Sequence, residues 1–185
     1  REPSFTVAIA RDPAFNFMYE ANIRYLHHLG EVTYFSPLAD TSLPDAGFVY
    51  LPGGYPELYL AALSANRPML QSIRRYVENG GKLLAECGGM MYLCDEIRDK
   101  NGDVFPMVGV LHQSATMENM KLRLGYRTLL YNDARLKGHE FHYSRLVEQQ
   151  DPLPSCAVAY TAKGVKTDTP LYRYKNVLAG YTHLY

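Results

Sequence analysis

Short apolar runs alternate with helically spaced segments through the first half of this 185-residue chain, whereas the second half carries short extended runs alone. Residues 5–10, 32–35, 48–51 and 83–85 are compact and apolar, and they predict four buried strands of a parallel sheet. Residues 19–29 set Ile23, Leu26 and Leu29 at helical spacing, with Gly30 expected as the C′ residue that ends the helix. Residues 36–40 read as a loop. Asn66-Arg67-Pro68 opens a second helix with Leu70, Ile73 and Val77 along one face, closed by Gly80-Gly81. This alternation predicts an α/β fold with a doubly wound, mainly parallel sheet and flanking helices. Beyond the turn signal Asp99-Lys100-Asn101-Gly102-Asp103, residues 107–111, 127–131, 140–146, 158–161 and 177–181 read as extended. They predict extra, partly antiparallel strands, either beside the core sheet or in a small layer of their own. No repeat or low-complexity linker divides the chain, so residues 1–185 are read as one domain.

Chemistry concentrates where the fourth strand ends, at Ala85-Glu86-Cys87-Gly88-Gly89-Met90-Met91-Tyr92-Leu93. A small residue at 85 and glycines at 88 and 89 permit a sharp strand-to-helix turn, the geometry of a nucleophile elbow. Such a turn sets the Cys87 sulfur at a helix N-terminus, where backbone N–H groups favour the thiolate. The plainer alternative is a buried core cysteine. Strand three ends in Pro52-Gly53-Gly54-Tyr55-Pro56-Glu57, and its glycine pair can bring backbone donors close to an anion or form an ordinary turn. Ligand sites in such sheets gather at the carboxyl ends of strands, so Asp12, Gly53, Gly54 and Cys87 are expected at one edge.

Composition narrows the function classes. Apolar residues make up 47% and charged residues 21%, with nineteen basic and nineteen acidic side chains, so neither nucleic acid nor a membrane surface is an expected partner. No apolar run approaches the ~20 residues that span a bilayer, and without a basic stretch followed by an apolar one at its start no signal peptide is expected. Three cysteines, Cys87, Cys94 and Cys156, cannot all pair and lack metal-ligand spacing; free thiols suit a reducing cytoplasm. Cys94, seven residues after Cys87, is expected in the core on a similar helix face. Arg1-Glu2-Pro3-Ser4 in place of an initiating Met reads as the edge of a longer polypeptide.

A cysteine nucleophile needs a base, usually histidine. His27 and His28 belong to a solvated helix and His112 to a loop, which leaves His139, His142 and His183. His139 and His142, three apart on a strand, point to opposite faces and do not chelate one ion, so no metal is expected. His183 follows the run 177–181 and stands at a strand end, where a base for Cys87 belongs.

These motifs together carry a resemblance that covers nearly the whole chain. Ala8-Ile9-Ala10-Arg11-Asp12 with Phe15, residues 35–40, 51–57 and 85–93, Gly138-His139-Glu140-Phe141-His142-Tyr143-Ser144 and Tyr181-Thr182-His183-Leu184 are similar to the glutamine amidotransferase domain of cobyrinic acid a,c-diamide synthases, ligases of cobalamin biosynthesis. The resemblance implies a class I glutamine amidotransferase-like fold and hydrolysis of L-glutamine through a γ-glutamyl thioester on Cys87, with His183 as base. It implies an oxyanion hole from backbone N–H groups of Gly88 and the Gly53-Gly54 loop, with Met91, Tyr143 and Ser144 bordering the glutamine. The triad glutamate of the wider class, two residues after the base, is replaced by Tyr185, so a Cys–His dyad is expected. A short C-terminal extension of the family has no counterpart after Tyr185. No cofactor is expected in this domain. ATP and magnesium would belong to an N-terminal synthetase domain of the same polypeptide, absent from these residues, which lack Gly-x-x-x-x-Gly-Lys-Ser/Thr. That domain would spend the ammonia on a corrinoid-type substrate. The alternatives are an elbow-cysteine hydrolase or peptidase of the same fold, and a catalytically silent regulatory domain.

Overall fold

A computed structural model describes residues 5–185, and the reading of Arg1–Ser4 as a polypeptide edge falls outside that range. The first half holds β1 (Thr6–Ala10), α1 (Glu20–Leu29), β2 (Glu31–Phe35), β3 (Phe48–Leu51), α2 (Leu60–Ala65), α3 (Arg67–Glu78), β4 (Leu83–Glu86) and α4 (Gly88–Leu93). The second half adds β5 (Cys94–Arg98), β6 (Val104–Pro106), β7 (Leu111–Thr116), β8 (Arg123–Tyr131), β9 (Ala134–His142), β10 (Arg145–Leu146), β11 (Val158–Thr161), β12 (Lys166–Thr167), β13 (Leu171–Tyr174), β14 (Val177–Gly180) and β15 (Thr182–Leu184).

The central sheet has six strands in the order β13-β14-β4-β3-β1-β2. All its pairs are parallel except β13 with β14, which gives the sheet one antiparallel edge. The short apolar runs of the first half make continuous strands because both faces are covered. On one face Val7, Ile9 and Tyr50 pack with Ile23 and Leu26 of α1. On the other, Ala8, Val49, Leu51 and Ala85 join a larger core with Leu63, Met69, Ile73 and Val77. Helix α3 starts as its sequence predicts, with the Asn66 side chain accepting from Met69 N at 3.4 Å.

Several expectations need correction. Gly30 ends α1 with φ −178°, an extended residue rather than a left-handed cap. Cys94 is buried as expected, yet helix α4 stops at Leu93, and Cys94 begins a strand instead of sharing the helix face of Cys87. Residues 107–110 form no strand; Met107, Val108 and Val110 are buried between β6 and β7, so their apolarity reflects core position. Residues 177–180 are extended as expected and form β14 beside β4 in the central sheet, but after Tyr181 a separate strand, β15, leaves that sheet to pair with β9. The remaining strands form two further sheets, β10-β7-β5-β6 and β12-β11-β8-β9-β15.

Asp12 is explained by the fold. Its Oδ1 accepts from Ala14 N at 2.8 Å and its Oδ2 from Ser36 Oγ at 2.8 Å and Leu38 N at 3.0 Å, which ties the loop after β1 to the loop after β2. Phe15 is fully buried against Tyr92, ring centroids 5.1 Å apart.

Candidate active site

Cys87 sits between β4 and α4 with φ 50° and ψ −107°. A non-glycine residue in this region is strained, and such strain is the signature of a strand-to-helix elbow. The turn is held by Cys87 N donating to Gly180 O at 2.7 Å and by Met91 N donating to Cys87 O at 3.0 Å. Placing β14 beside β4 therefore braces the elbow, a contact between residues nearly a hundred positions apart in sequence.

A cavity of about 20 Å³ opens at the thiol, and Gly54, Met91, Tyr143 and Ser144 all line it. Gly54 adopts φ 155°, and its N lies 3.3 Å from where a Gly88 side chain would begin, so the two glycine segments face each other beside Cys87. Ser144 Oγ bonds Tyr181 OH at 2.9 Å and contacts Met91 sulfur at 3.3 Å, so the side chain is held against the cavity wall. Six of the sequence-derived residues thus converge.

His183 and Gly53 form a separate contact. His183 pairs with His139 across β15 and β9, is 5% exposed, and packs its ring onto Gly53. A Cβ at position 53 would stand 2.9 Å from His183 Nδ1 and closer still to Cε1, so only glycine admits the imidazole there. Phe17 meets the ring edge-on at 4.6 Å. His183 Nδ1 is buried with no hydrogen-bond partner among the described residues. Cys87 Sγ reaches the Phe141 carbonyl at 3.6 Å rather than His183.

Packing thus orients His183, in place of the absent glutamate. Tyr185 stacks edge-on with Tyr19 and carries no carboxylate to the ring. The carboxylate near this strand is Glu86, which accepts from Tyr50 OH and from Leu184 N at 2.8 Å. Its side chain lines a different cavity of about 220 Å³ with Asn22, Tyr25 and Tyr50 on the α1 side of the sheet. Burial pushes the Glu86 carboxyl up to about 7.

The electrostatics reverse one sequence expectation. Burial first, then the nearby Glu57 charge, pushes the Cys87 thiol up to about 12, against the lowering effect of the Gly88 N–H. A six-residue helix offers too little field to offset removal of the sulfur from water. His183 is pushed down to about 4, chiefly by burial and then by the charges of His139 and His142. At neutral pH the pair rests as a neutral thiol and a neutral imidazole.

Four residues lining the cavity, Tyr55, Glu57, Phe141 and His142, were not assigned to the site from the sequence, although His142 is among its candidate bases. Alternation along β9 turns Glu140 and His142 inward and His139 and Phe141 outward, so His139 and His142 do point apart. His142 stacks on Tyr181 at 3.6 Å and bonds Glu140 Oε2 at 2.9 Å and Ser144 O at 2.7 Å. Among the described residues no group of three or more His, Cys, Asp or Glu is placed to hold a metal ion. Among the described residues no helix is long and apolar enough to cross a membrane.

Comparison with known sequences decides the family. Residues 6–185 match the profile of the CobB/CobQ-like glutamine amidotransferase domain. The chain belongs to that family. It is 40% identical over 185 residues to a hydrogenobyrinate a,c-diamide synthase of Pseudomonas aeruginosa, covering 97% of this chain and 41% of that protein. It is 38% identical over 195 residues to a cobyrinate a,c-diamide synthase of Clostridium acetobutylicum, covering 100% and 43%. The domain therefore spans about two fifths of the length of these curated relatives. Among solved structures, PurLQS from Thermotoga maritima superposes with a TM-score of 0.64 at 18% identity, covering 98% of this chain and 88% of that one. A glutamine amidotransferase from the same organism gives 0.62 at 14% identity, covering 98% and 76%. At such identities the likeness is one of fold, and it confirms the α/β amidotransferase-like architecture.

Proposed function

We propose that this domain hydrolyses L-glutamine at Cys87 and supplies ammonia to an ATP- and magnesium-dependent synthetase domain of the same polypeptide. That domain would amidate the a and c side chains of a corrinoid-type substrate such as cobyrinic acid, in the cytoplasm. The observation that carries the reading is the strained Cys87 elbow, facing Gly54 and Gly88 in a chain of this amidotransferase family. The length and names of the relatives support the fused synthetase.

Glutamine entering the cavity displaces the Cys87 contact to the Phe141 carbonyl, and the exposed Tyr55 and Tyr143 at its rim turn outward to admit it. The Cys87 proton passes to neutral His183 as the sulfur bonds to the amide carbon. Backbone N–H groups of Gly88 and the Gly53-Gly54 loop receive the oxyanion, each donor being worth about 3 kcal/mol of barrier. The C–N bond breaks as His183 returns the proton to nitrogen and ammonia leaves. Water, deprotonated by His183, then opens the thioester to glutamate and free thiol.

The test is glutamine hydrolysis with and without hydroxylamine, which intercepts a γ-glutamyl thioester as the hydroxamate. Ammonia release with hydroxamate formation is the expected result; ammonia without any hydroxamate would count against the thioester. A catalytically silent domain is the second reading, favoured by the raised thiol and the lack of a Cys87–His183 hydrogen bond. Absence of turnover both alone and with the synthetase domain would establish it.

Gly53→Ala probes the base. The added methyl displaces the His183 ring, so hydrolysis is expected to fall about tenfold to a hundredfold, in line with a misplaced catalytic group. Thermal unfolding should change little, since ring and backbone can part locally. Unchanged hydrolysis would remove His183 from the mechanism.

A further inference from the structure

Glu57 is the one acid in the Cys87 cavity that the reaction scheme leaves without a task. It stands in the turn Pro56–Leu58, directly after the glycine pair, and lines the cavity with Cys87 and His142. Its Oε2 is buried and has no hydrogen-bond partner among the described residues. Among the described residues no Lys, Arg or His forms an ion pair with it. A carboxylate oxygen is costly to bury unpaired, and burial accordingly pushes the Glu57 carboxyl up. Its charge also works against the neighbouring nucleophile, because it raises the Cys87 thiol more than any other charged group does. A residue unfavourable both to its own burial and to the thiolate lacks a cationic partner.

We propose that Glu57 receives the α-ammonium group of the amino acid substrate and so selects α-amino amides over simple amides at Cys87. This rests on the glutamine reading of the site. In L-glutamine the ammonium nitrogen lies four bonds from the amide carbon, a reach of roughly 5 Å when extended. Cys87 and Glu57 line the same small cavity, so one ligand bound there meets both. His142, which lines the cavity with Glu57, is held by Glu140, the carboxylate that Arg123 and Arg127 also share. Docking the ammonium also cancels the field that holds the proton on Cys87, so the correct substrate eases its own attack.

The experiment follows alkylation of Cys87 by intact mass with three electrophiles: a diazo-ketone analogue of L-glutamine, the same diazo-ketone without the amino group, and iodoacetamide. Wild type is expected to prefer the amino-bearing probe over its des-amino counterpart by at least about tenfold, the size of one charge-assisted contact. In Glu57→Gln that preference should fall towards unity, while iodoacetamide reacts as fast or faster because an opposing charge is gone. Glu57→Asp should recover part of the preference and serves as the check on folding. A Glu57→Gln protein that keeps the full preference would overturn the proposal, as would an equal slowing with all three probes. If wild type itself shows no preference while iodoacetamide labels Cys87, the glutamine reading fails first, and the proposal fails with it.

Discussion

Cys87→Ser is expected to slow ammonia release from L-glutamine by at least about a thousandfold while leaving the fold intact. The change replaces one atom at a position whose φ of 50° and backbone bonds to Gly180 and Met91 do not depend on the side chain. Loss of activity therefore reports on the nucleophile. Serine is the harsher substitution here because the site already disfavours charge: burial holds the thiol at about 12, and a hydroxyl starts from a much higher value. The base available is a neutral His183, held at about 4 rather than the ordinary 6.5. A base must be unprotonated to act, so wild-type activity should persist as pH falls through 6.5 and decline only towards about 4. Initial rates from pH 4 to 8 with matched thermal melts check both statements. Equal rates for wild type and serine variant would remove Cys87 from the mechanism.

The second large effect concerns stability. Glu140 is 1% exposed and accepts from Arg123 at 3.1 Å, Arg127 and Thr169 at 3.0 Å, and His142 at 2.9 Å. Glu140→Gln keeps the shape but leaves buried Arg127 without its counter-charge, and breaking such a pair costs about 3 kcal/mol. Urea unfolding at neutral pH measures the loss; a change within about 0.5 kcal/mol, the range of a surface substitution, would contradict it. The pH dependence follows from the sign. Although burial opposes ionisation, the hydrogen bond from His142 and the positive charges of Arg123, His142 and Arg127 hold Glu140 at about 2, below its ordinary 4.5. Its contribution is complete above pH 4.5 and is lost as pH falls through about 2, so the gap between wild type and variant should close over that interval. His183, depressed to about 4, adds a contribution complete above 6.5 and lost on acidification through about 4, but equally in both proteins. Glu86 acts in the opposite sense: raised to about 7, it stabilises most below 4.5 and fades as pH rises through 7.

The parts of the site legible in sequence are those built by short-range chemistry. A buried run into Cys87-Gly88-Gly89 makes an elbow from local sterics, and β3 into Gly53-Gly54 makes a close-approach loop in the same way. Parallel strands then carry both to one edge, since successive βα units all point their carboxyl ends the same way. Glu57 carries no role in the sequence reading because nothing local marks it, whereas His142 stands there only as one candidate base among three. Glu57 only closes the glycine turn of the motif, and the pair His139 and His142 invited a metal test whose negative answer hid that one of them faces the cavity.

The elbow, the glycine loop and the four parallel strands were determined by the sequence, through apolar periodicity and backbone sterics that act within a few residues. Only the tertiary structure decided three other matters. It placed β14 beside β4 and β15 against β9, pairings that no local pattern encodes, and thereby brought His183 onto Gly53. It made packing, rather than a carboxylate, the device that orients that ring. It also reversed the charge state expected of Cys87. A helix N-terminus is a local feature, whereas desolvation sums over every group that surrounds the sulfur, and here the sum is larger.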